Sequence, residues 1–347
     1  MPDFAKDPVM LFWLLPVLLL MSSTFTSMLR KYAISRSIID IPNARSSHTL
    51  PTPRGGGVAI VIAFLLALVL IGVLNVEPWP ILTAYLGAGT LIAVIGFMDD
   101  HGHIAARWRL LGHFLAAAWA LFWLGGLAPL TVMGVSFNLG WVGGLLAAFY
   151  LVWMLNLYNF MDGIDGIASV EAICSCLVLA LIYWMEGQGN LIWTPLLLAM
   201  AVAGFLVWNF PPAKIFMGDA GSGFLGIILG CLSIQAGWAN SDYFFAWLIM
   251  LGVFVVDATF TLIRRLVRGD KVYEAHRSHA YQFASRAVGS HKPVTVAVIL
   301  INLIWLLPIA ISVGLHYLDG ALGLVLAYIP LIALAFKYKA GQLEAQV

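Results

Sequence analysis

Apolar residues in this chain do not alternate with polar ones. They run in blocks of about twenty, the length a helix needs to cross the hydrocarbon core of a bilayer. Eleven such blocks are predicted, at roughly 8–28, 56–75, 79–98, 110–128, 141–159, 167–185, 191–208, 222–238, 243–264, 294–314 and 318–336. The eighth is short and rich in glycine. No small-residue cleavage site follows the first block, which therefore reads as a retained helix and not a removed leader. The pattern predicts an all-α, polytopic membrane helix bundle of about 11 transmembrane helices, forming a single domain over 1–347.

The polar residues between the blocks are sorted by charge. The odd-numbered connections carry Arg30, Lys31, Arg36, Arg45 and Arg54, then Arg107 and Arg109, then Lys214, then Arg264, Arg265, Arg268, Lys271, Arg277, Arg286 and Lys292. Lys337 and Lys339 follow the last block, and the even-numbered connections carry no Lys or Arg. Seventeen of the 18 basic residues thus fall on one side, with Lys6 the exception. Positive residues mark cytoplasmic loops, so the N-terminus is predicted periplasmic and the C-terminus cytoplasmic. The expected location is a membrane, crossed many times, with the chemically rich loops facing the cytoplasm.

Composition agrees with that class. Hydrophobic residues make up 62% of the chain and charged residues 10%, where a soluble domain has about 25% charged. The net charge of +1 conceals the asymmetry just described. Cys174, Cys176 and Cys231 lie inside apolar blocks, and Cys174-Ser-Cys176 has neither the spacing nor the flanking ligands of a zinc or redox pair. They read as packing residues. The periplasmic connections (75–78, 186–190, 239–242, 315–317) are short and bland, so function is placed in the cytoplasmic loops around 43–57, 99–109, 156–166, 211–223 and 264–293.

Each of those loops has a chemical character. In Arg45–Gly57, two prolines fix an extended entry and three glycines permit close backbone approach. Arg45, His48 and Arg54 are donors suited to phosphate oxygens. Asp99 and Asp100 end the third block, where adjacent carboxylates repel unless they share a cation or a proton. In Asn156–Gly166 the polar residues Asn156, Asn159, Asp162 and Asp165 recur every third position, along one slowly drifting helix face. In Pro211–Phe224 a glycine-rich turn leads into a helix, a natural phosphate seat with Lys214 nearby, and Asp219 is placed to hold a divalent cation against the same phosphates. The stretch 264–292 combines seven cations with His276-Arg277-Ser278-His279. Asp257 and Glu171, inside blocks, read as structural or as edges of the site.

Carboxylates without cysteines or clustered histidines favour a hard cation, Mg²⁺ or Mn²⁺. Mg²⁺ is normally held by one or two carboxylates plus phosphates, and Arg and His then balance the remaining phosphate charge. At a membrane surface the acceptor can be a lipid, so the simplest reaction is phosphoryl transfer from a soluble nucleotide to a lipid phosphate. Two rivals are a cation-coupled transporter and an intramembrane aspartyl protease. The first calls for acids near the bilayer midplane and the second has no use for the Arg/His loop.

The ordered set Pro53-Arg-Gly-Gly-Gly57, Gly96-Phe-Met-Asp-Asp100, Asn156-x-x-Asn-Phe-Met-Asp-Gly-Ile-Asp-Gly166, Phe216-Met-Gly-Asp-Ala-Gly-Ser222 and His276-Arg-Ser-His279-Ala-Tyr-Gln resembles the polyprenyl-phosphate N-acetylhexosamine-1-phosphate transferase family, glycosyltransferase family 4. The spelling is closest to its O-antigen-initiating branch. The resemblance implies transfer of a sugar-1-phosphate from a UDP-N-acetyl-amino sugar (FucNAc, QuiNAc or GlcNAc type) to undecaprenyl phosphate, giving undecaprenyl-diphospho-sugar and UMP, with Mg²⁺. It implies Asp99 as base or nucleophile with Asp100 its catalytic partner, and Asp219 as metal ligand. Asp162 and Asp165 would lie near the nucleotide with Asn156 and Asn159. His279 and His276, with Arg277 between them, would contact the diphosphate. The sister muramyl-peptide translocase has a lysine where His48 aligns and consecutive histidines in place of His-Arg-Ser-His. It also has a lysine after the double aspartate, for which Arg107 and Arg109 are the candidates here. No nucleic-acid partner is expected, and a homodimer is left open.

Overall fold

The computed structural model describes residues 8–42, 50–102, 104–270 and 276–343. It is an all-α polytopic membrane bundle. Fourteen α-helices follow one another: α1 (Pro8–Ser35), α2 (Val58–Val73), α3 (Trp79–His101), α4 (Ala106–Leu124), α5 (Gly140–Met161), α6 (Ile167–Met185), α7 (Gly189–Asn209), α8 (Asp219–Ala239), α9 (Ser241–Met250), α10 (Gly252–Arg268), α11 (Ala280–Val288), α12 (His291–Leu300), α13 (Leu307–Gly314) and α14 (Gly320–Lys337). A π-helical turn, Ile301–Leu306, joins α12 to α13. Two short antiparallel pairs, β1–β2 (Ile39–Asp40 with Thr52–Pro53) and β3–β4 (Leu130–Val132 with Val135–Phe137), are the strands among the described residues.

Among the described residues, 8 helices are long and apolar enough to cross a membrane, or up to 9 if a bent pair is one span. The other two predicted blocks are helical as well. The helix α2 has 16 residues, and α4 begins with Arg107 and Arg109 in its first turn. The ninth block differs from its prediction. It breaks at Leu251 into α9 and α10, bent by 72°. The cause lies in α10, which ends in Arg264, Arg265 and Arg268 and is apolar on one side only, so it cannot continue into lipid along the axis of α9. Gly252 at the break lets the chain lie against Tyr328 and Leu331 of α14.

The glycine-rich eighth block proves to be the axis of the bundle. Every residue of α8 from Ala220 to Gly237 is buried, as expected for a helix that is apolar all round. It packs against α2, α3, α4, α5 and α9. Small residues allow the close approaches on which membrane helix packing depends. A Cβ on Gly57 would come within 2.5 Å of the Gly221 Cα, one on Gly96 within 2.6 Å of the Ala220 Cα, and one on Gly226 within 2.5 Å of the Met154 carbonyl oxygen. The N-terminus of α2, the C-terminus of α3 and the C-terminal half of α5 are thereby drawn onto the first turns of α8.

Backbone pairing completes this end of the bundle. Phe216 N–H donates to the Pro53 carbonyl (2.8 Å), Gly56 N–H to the Phe216 carbonyl (2.9 Å), and Gly57 N–H to the Met217 carbonyl (2.8 Å). Two motifs 160 residues apart in the chain are thus zipped together. At the far end of α8, Tyr85 donates to Gln235, which donates to the buried carboxylate of Glu77 (2.7 Å).

Gly221→Ala should lower stability by about 1–3 kcal/mol, the usual cost of overpacking, because its methyl would meet the Gly57 Cα at 2.6 Å. Gly144→Ala on α5, where nothing lies within 4 Å, should be neutral or slightly stabilising. Thermal unfolding of the two variants in detergent checks the contrast; equal melting temperatures would contradict it.

Candidate active site

Asp219 opens α8, preceded by Gly218 at φ +79°. Its N–H and that of Ala220 do not face an open phosphate seat. Asp100 at the end of α3 accepts from both, Oδ1 from Asp219 N (3.1 Å) and Oδ2 from Ala220 N (3.3 Å). A carboxylate at this position satisfies orphan N–H groups and complements the positive end of the helix dipole. The Asp100 side chain is 2% exposed, and its Oδ1 also lies 2.5 Å from Arg54 Nη2. The same Nη2 donates to Asp219 Oδ1 (3.0 Å). Burial works against the charge of Arg54, but the surrounding Asp219, Asp100 and Asp40 outweigh it and raise its pKa.

The polar stripe of the third motif divides once the helix ends at Met161. Asn159 Nδ2 donates to Asp219 Oδ1 (3.1 Å) and to Ser222 Oγ (2.9 Å), tying α5 to α8. Asn156 points toward α4, donating to the Val152 carbonyl (2.7 Å) and lying 3.4 Å from His113 Nδ1. Asp162 follows the last turn of α5. No donor among the described residues bonds its carboxylate. Burial, followed by the negative charge of Asp219, pushes its pKa well above the usual carboxylate range; Arg54 opposes this, while Asp100 and Asp165 add to it.

Asp165 belongs to a different neighbourhood. Its Oδ2 accepts from Ala213 N (2.9 Å), its Oδ1 lies 3.1 Å from His291 Nδ1, and its carbonyl accepts from Thr295 Oγ1 (2.8 Å). Gly166 N–H donates to Asn209 Oδ1 (2.9 Å), and Asn209 Nδ2 donates to the Ile215 carbonyl (3.0 Å). Together with Thr52, Pro211–Ala213, Phe216, Arg286, Ser290 and Lys292, Asp165 lines a cavity of about 520 Å³. A ligand-sized pocket falls in this range.

Asp99 faces a separate, narrower cleft of about 60 Å³ between α3, α4, α5 and α8, which it lines with Asn156, Asn159 and Asp219. Its Oδ1 accepts from Ile104 N (2.8 Å) and its Oδ2 from Arg109. Arg109 and His113 complete the polar lining, and Ile92, Ile95, Leu155 and Phe160 supply apolar walls. Sequence motifs did not single out His113. The available signal was spacing, since it follows Arg109 by four residues and so shares its helix face.

The histidine motif docks from the side. Asp257 of α10 accepts from Ala280 N (2.9 Å) and Tyr281 N (3.1 Å), so it caps α11. Tyr281 Oη donates to the Phe160 carbonyl (2.9 Å), bringing α11 against the Asp162–Gly163 turn. His279 is 2% exposed, packed beside Phe160, Tyr281 and His276. Its Nδ1 lies 3.4 Å from Asp257 Oδ1. Ser278 Oγ is 2.9 Å from His276 Nδ1, and burial together with neighbouring His279 and Arg265 lowers the His276 pKa to about 3. The Arg277 carbonyl accepts from Arg286 Nη2 (3.1 Å). Lys214 is turned outward, its Nζ over the Trp208 ring at 5.4 Å. Of the predicted site residues, Arg54, Asp99, Asp100, Asn156, Asn159, Asp162 and Asp219 are brought together. Asp165 lines the adjoining cavity, His279 stacks beside Phe160 with His276 next to it, Arg277 is held through its carbonyl by Arg286, and His48 lies outside the described residues.

Residues 82–237 match the family model of glycosyl transferase family 4. That segment runs from α3 through α8 and holds every member of the central cluster except Arg54. Over 285 residues the chain is 29% identical to a probable undecaprenyl-phosphate N-acetylglucosaminyl 1-phosphate transferase of Bacillus subtilis, covering 81% of this chain and 78% of that one. It is 27% identical over 282 residues to an undecaprenyl-phosphate alpha-N-acetylglucosaminyl 1-phosphate transferase of Thermotoga maritima (80% and 84% covered). It is also 36% identical over 198 residues to a phospho-N-acetylmuramoyl-pentapeptide-transferase of Moorella thermoacetica (53% and 61% covered).

The two carboxylates should respond oppositely to removal. Asp100→Ala takes away a buried ion-pair partner and a helix cap, and should cost about 3–5 kcal/mol. Asp162→Asn removes a carboxyl whose pKa burial, and then neighbouring negative charge, raise in the folded state. Between the ordinary carboxylate pKa and its raised value the native state binds one more proton than the unfolded chain, so this residue makes stability fall as pH rises. The variant should lose that component and gain on the wild type toward alkaline pH. Melting curves at pH 5 and pH 8 test both; a uniform shift for Asp162→Asn would refute the second.

Proposed function

We propose a reaction from the premise that this chain belongs to glycosyl transferase family 4, the polyprenyl-phosphate N-acetylhexosamine-1-phosphate transferases: transfer of a sugar-1-phosphate from a UDP-N-acetyl-amino sugar to undecaprenyl phosphate, at the cytoplasmic face of a bacterial inner membrane. The observation that carries this reading is the pair of cavities flanking the Phe216–Asp219 turn. One is narrow, walled by membrane helices and lined by Asp99, Arg109 and Asp219. The other is larger, formed where the 211–216 loop and Asp165 meet α11 and α12, and lined by Phe216 and the cations Arg286 and Lys292. A lipid phosphate suits the first and a soluble nucleotide the second, with the diphosphate bridging them past Asp219.

In this reading an oxygen of the acceptor phosphate attacks the β-phosphorus of the UDP-sugar. The bond from that phosphorus to UMP breaks, UMP leaves, and undecaprenyl-diphospho-sugar remains. One diphosphate linkage replaces another, so the step is nearly isoenergetic. Arg109 and Asp99 form an ion pair in the narrow cleft. An incoming phosphate competes for Arg109, which releases Asp99 to take the phosphate proton. In a covalent variant of the route, Asp99 itself attacks the β-phosphorus and the acceptor then displaces it. Labelled UMP would exchange into UDP-sugar without any lipid in the covalent route, and only with the lipid product in the direct one.

The residues fit Mg²⁺. Asp162 and Asp219 are hard oxygen donors crowded by like charge, and the Asp162 carboxylate has no donor among the described residues. Among the described residues no three His, Cys, Asp or Glu side chains form a full ligand set, in keeping with a cation that takes one or two carboxylates and completes its shell with phosphate and water. Bound there, it would neutralise the charge that develops on the transferring phosphoryl group and on UMP. Burial, and after it the same crowding, raises the Asp162 pKa.

Asp219→Asn should abolish Mg²⁺-dependent transfer while membrane insertion is retained; normal transfer by that variant would end the metal assignment. Asp99→Asn should lose several orders of magnitude in turnover, and near-wild-type turnover would rule out both roles proposed for it. Because protons compete with a cation for a carboxyl whose pKa is raised, half-saturating Mg²⁺ should increase as pH falls. A pH-independent requirement would argue against Asp162 as a ligand.

A further inference from the structure

One polar side chain in the narrow cleft is absent from the family-like motifs and unused in the reaction above. His113 lies on α4 one turn beyond Arg109 and lines the cleft with Asp99, Arg109, Asn156 and Asp219. Its tautomer follows from its neighbour. Asn156 Nδ2 lies 2.7 Å from the Val152 carbonyl oxygen, which identifies that atom as the amide nitrogen, a donor only. The same nitrogen is 3.4 Å from His113 Nδ1. Nδ1 is therefore the acceptor nitrogen, and the ring proton resides on Nε2. No partner for Nε2 is found among the described residues, so His113 presents a free N–H where Arg109 presents its guanidinium.

We propose that His113 contacts the acceptor phosphate, its Nε2–H donating to a phosphate oxygen beside Arg109. The assignment to the lipid phosphate rests on the reading above that the acceptor occupies this cleft. It is favoured by the walls of Ile92, Ile95, Leu155 and Phe160, which suit a lipid, whereas the cationic Arg286 and Lys292 line the other cavity. A neutral donor adds a hydrogen bond without setting a second cation against Arg109. It also does not bind Asp99 in an ion pair that the incoming phosphate must first break.

Two substitutions separate this role from a structural one. In His113→Gln the side-chain amide nitrogen reaches the place of Nε2, so the donor is kept and the acceptor toward Asn156 is lost. In His113→Asn the amide group lies at the place of Nδ1, so the contact with Asn156 is kept and the donor is lost. Binding of undecaprenyl phosphate and of undecaprenol to the detergent-solubilised full chain is measured for each. H113Q should bind undecaprenyl phosphate within about threefold of wild type and H113N about tenfold or more weakly, the usual consequence of a lost hydrogen bond to a charged group. Binding of undecaprenol should be the same for all three. Wild-type affinity in H113N, or weakening in H113Q and not in H113N, would overturn the proposal. If H113N does not fold, His113→Ala, which has no side-chain donor, takes its place with the same expected loss. With active enzyme, the KM for undecaprenyl phosphate should rise in H113N and that for the UDP-sugar should not; equal rises would also overturn it. A wild type that binds undecaprenyl phosphate through His113 but releases no UMP from any UDP-sugar would refute the reaction and leave this contact standing.

Discussion

The first turn of α8 depends on the carboxylate of Asp100. A helix that begins inside a membrane bundle cannot leave its leading N–H groups to water, and an unsatisfied donor there costs as much as a lost hydrogen bond or more. Asp100 accepts from two of them and is itself balanced by Arg54. The end of α3, the glycine loop before α2 and the start of α8 are thereby a single electrostatic unit. Glycines at 57, 96 and 221 allow the backbones to approach closely enough for it to form.

The arrangement has a consequence for charge. Asp99, Asp100, Asp162 and Asp219 are gathered about one helix end, while Arg54 and Arg109 answer only part of that charge. Arg54 is shared between two carboxylates and Arg109 is paired with Asp99. The remaining deficit falls on Asp162, where it adds to burial in raising the carboxyl pKa. A site built this way has an affinity for positive charge set by its architecture, and on the account above a divalent cation and a diphosphate arrive as mutually compensating partners.

Much of this was legible in the chain. Each of the eleven apolar blocks holds a helix, because a segment facing lipid must satisfy its backbone internally. The motif residues Arg54, Asp99, Asp100, Asn159 and Asp219 converge as their order and common side suggested. Other features were hidden for physical reasons. A helix apolar on every face carries no periodicity to say which neighbour it meets, so the central position of α8 could not be read. The 72° break at Leu251 falls within the apolar run Tyr243–Val256, and the one-sided polarity of α10 that accounts for it begins only beyond that run. Three-residue spacing placed Asp162 and Asp165 on one helix face with the two asparagines, but the helix stops at Met161, and Asp165 turns to the Pro211–Ala213 loop. His113 stands alone in an apolar block, and only the fold shows that it shares a cleft with Asp99.

The central claim is that the phosphorus attached to the sugar travels with it. The purified wild-type protein, supplied with Mg²⁺, undecaprenyl phosphate and UDP-N-acetyl-amino sugars labelled with ³²P at the β-phosphate, tests this most directly. With the sugar that fits, the label should appear in a lipid-linked sugar diphosphate in step with release of unlabelled UMP. Labelled UDP as the released product, with the label absent from the lipid, would mean that the sugar moves alone and would contradict the account.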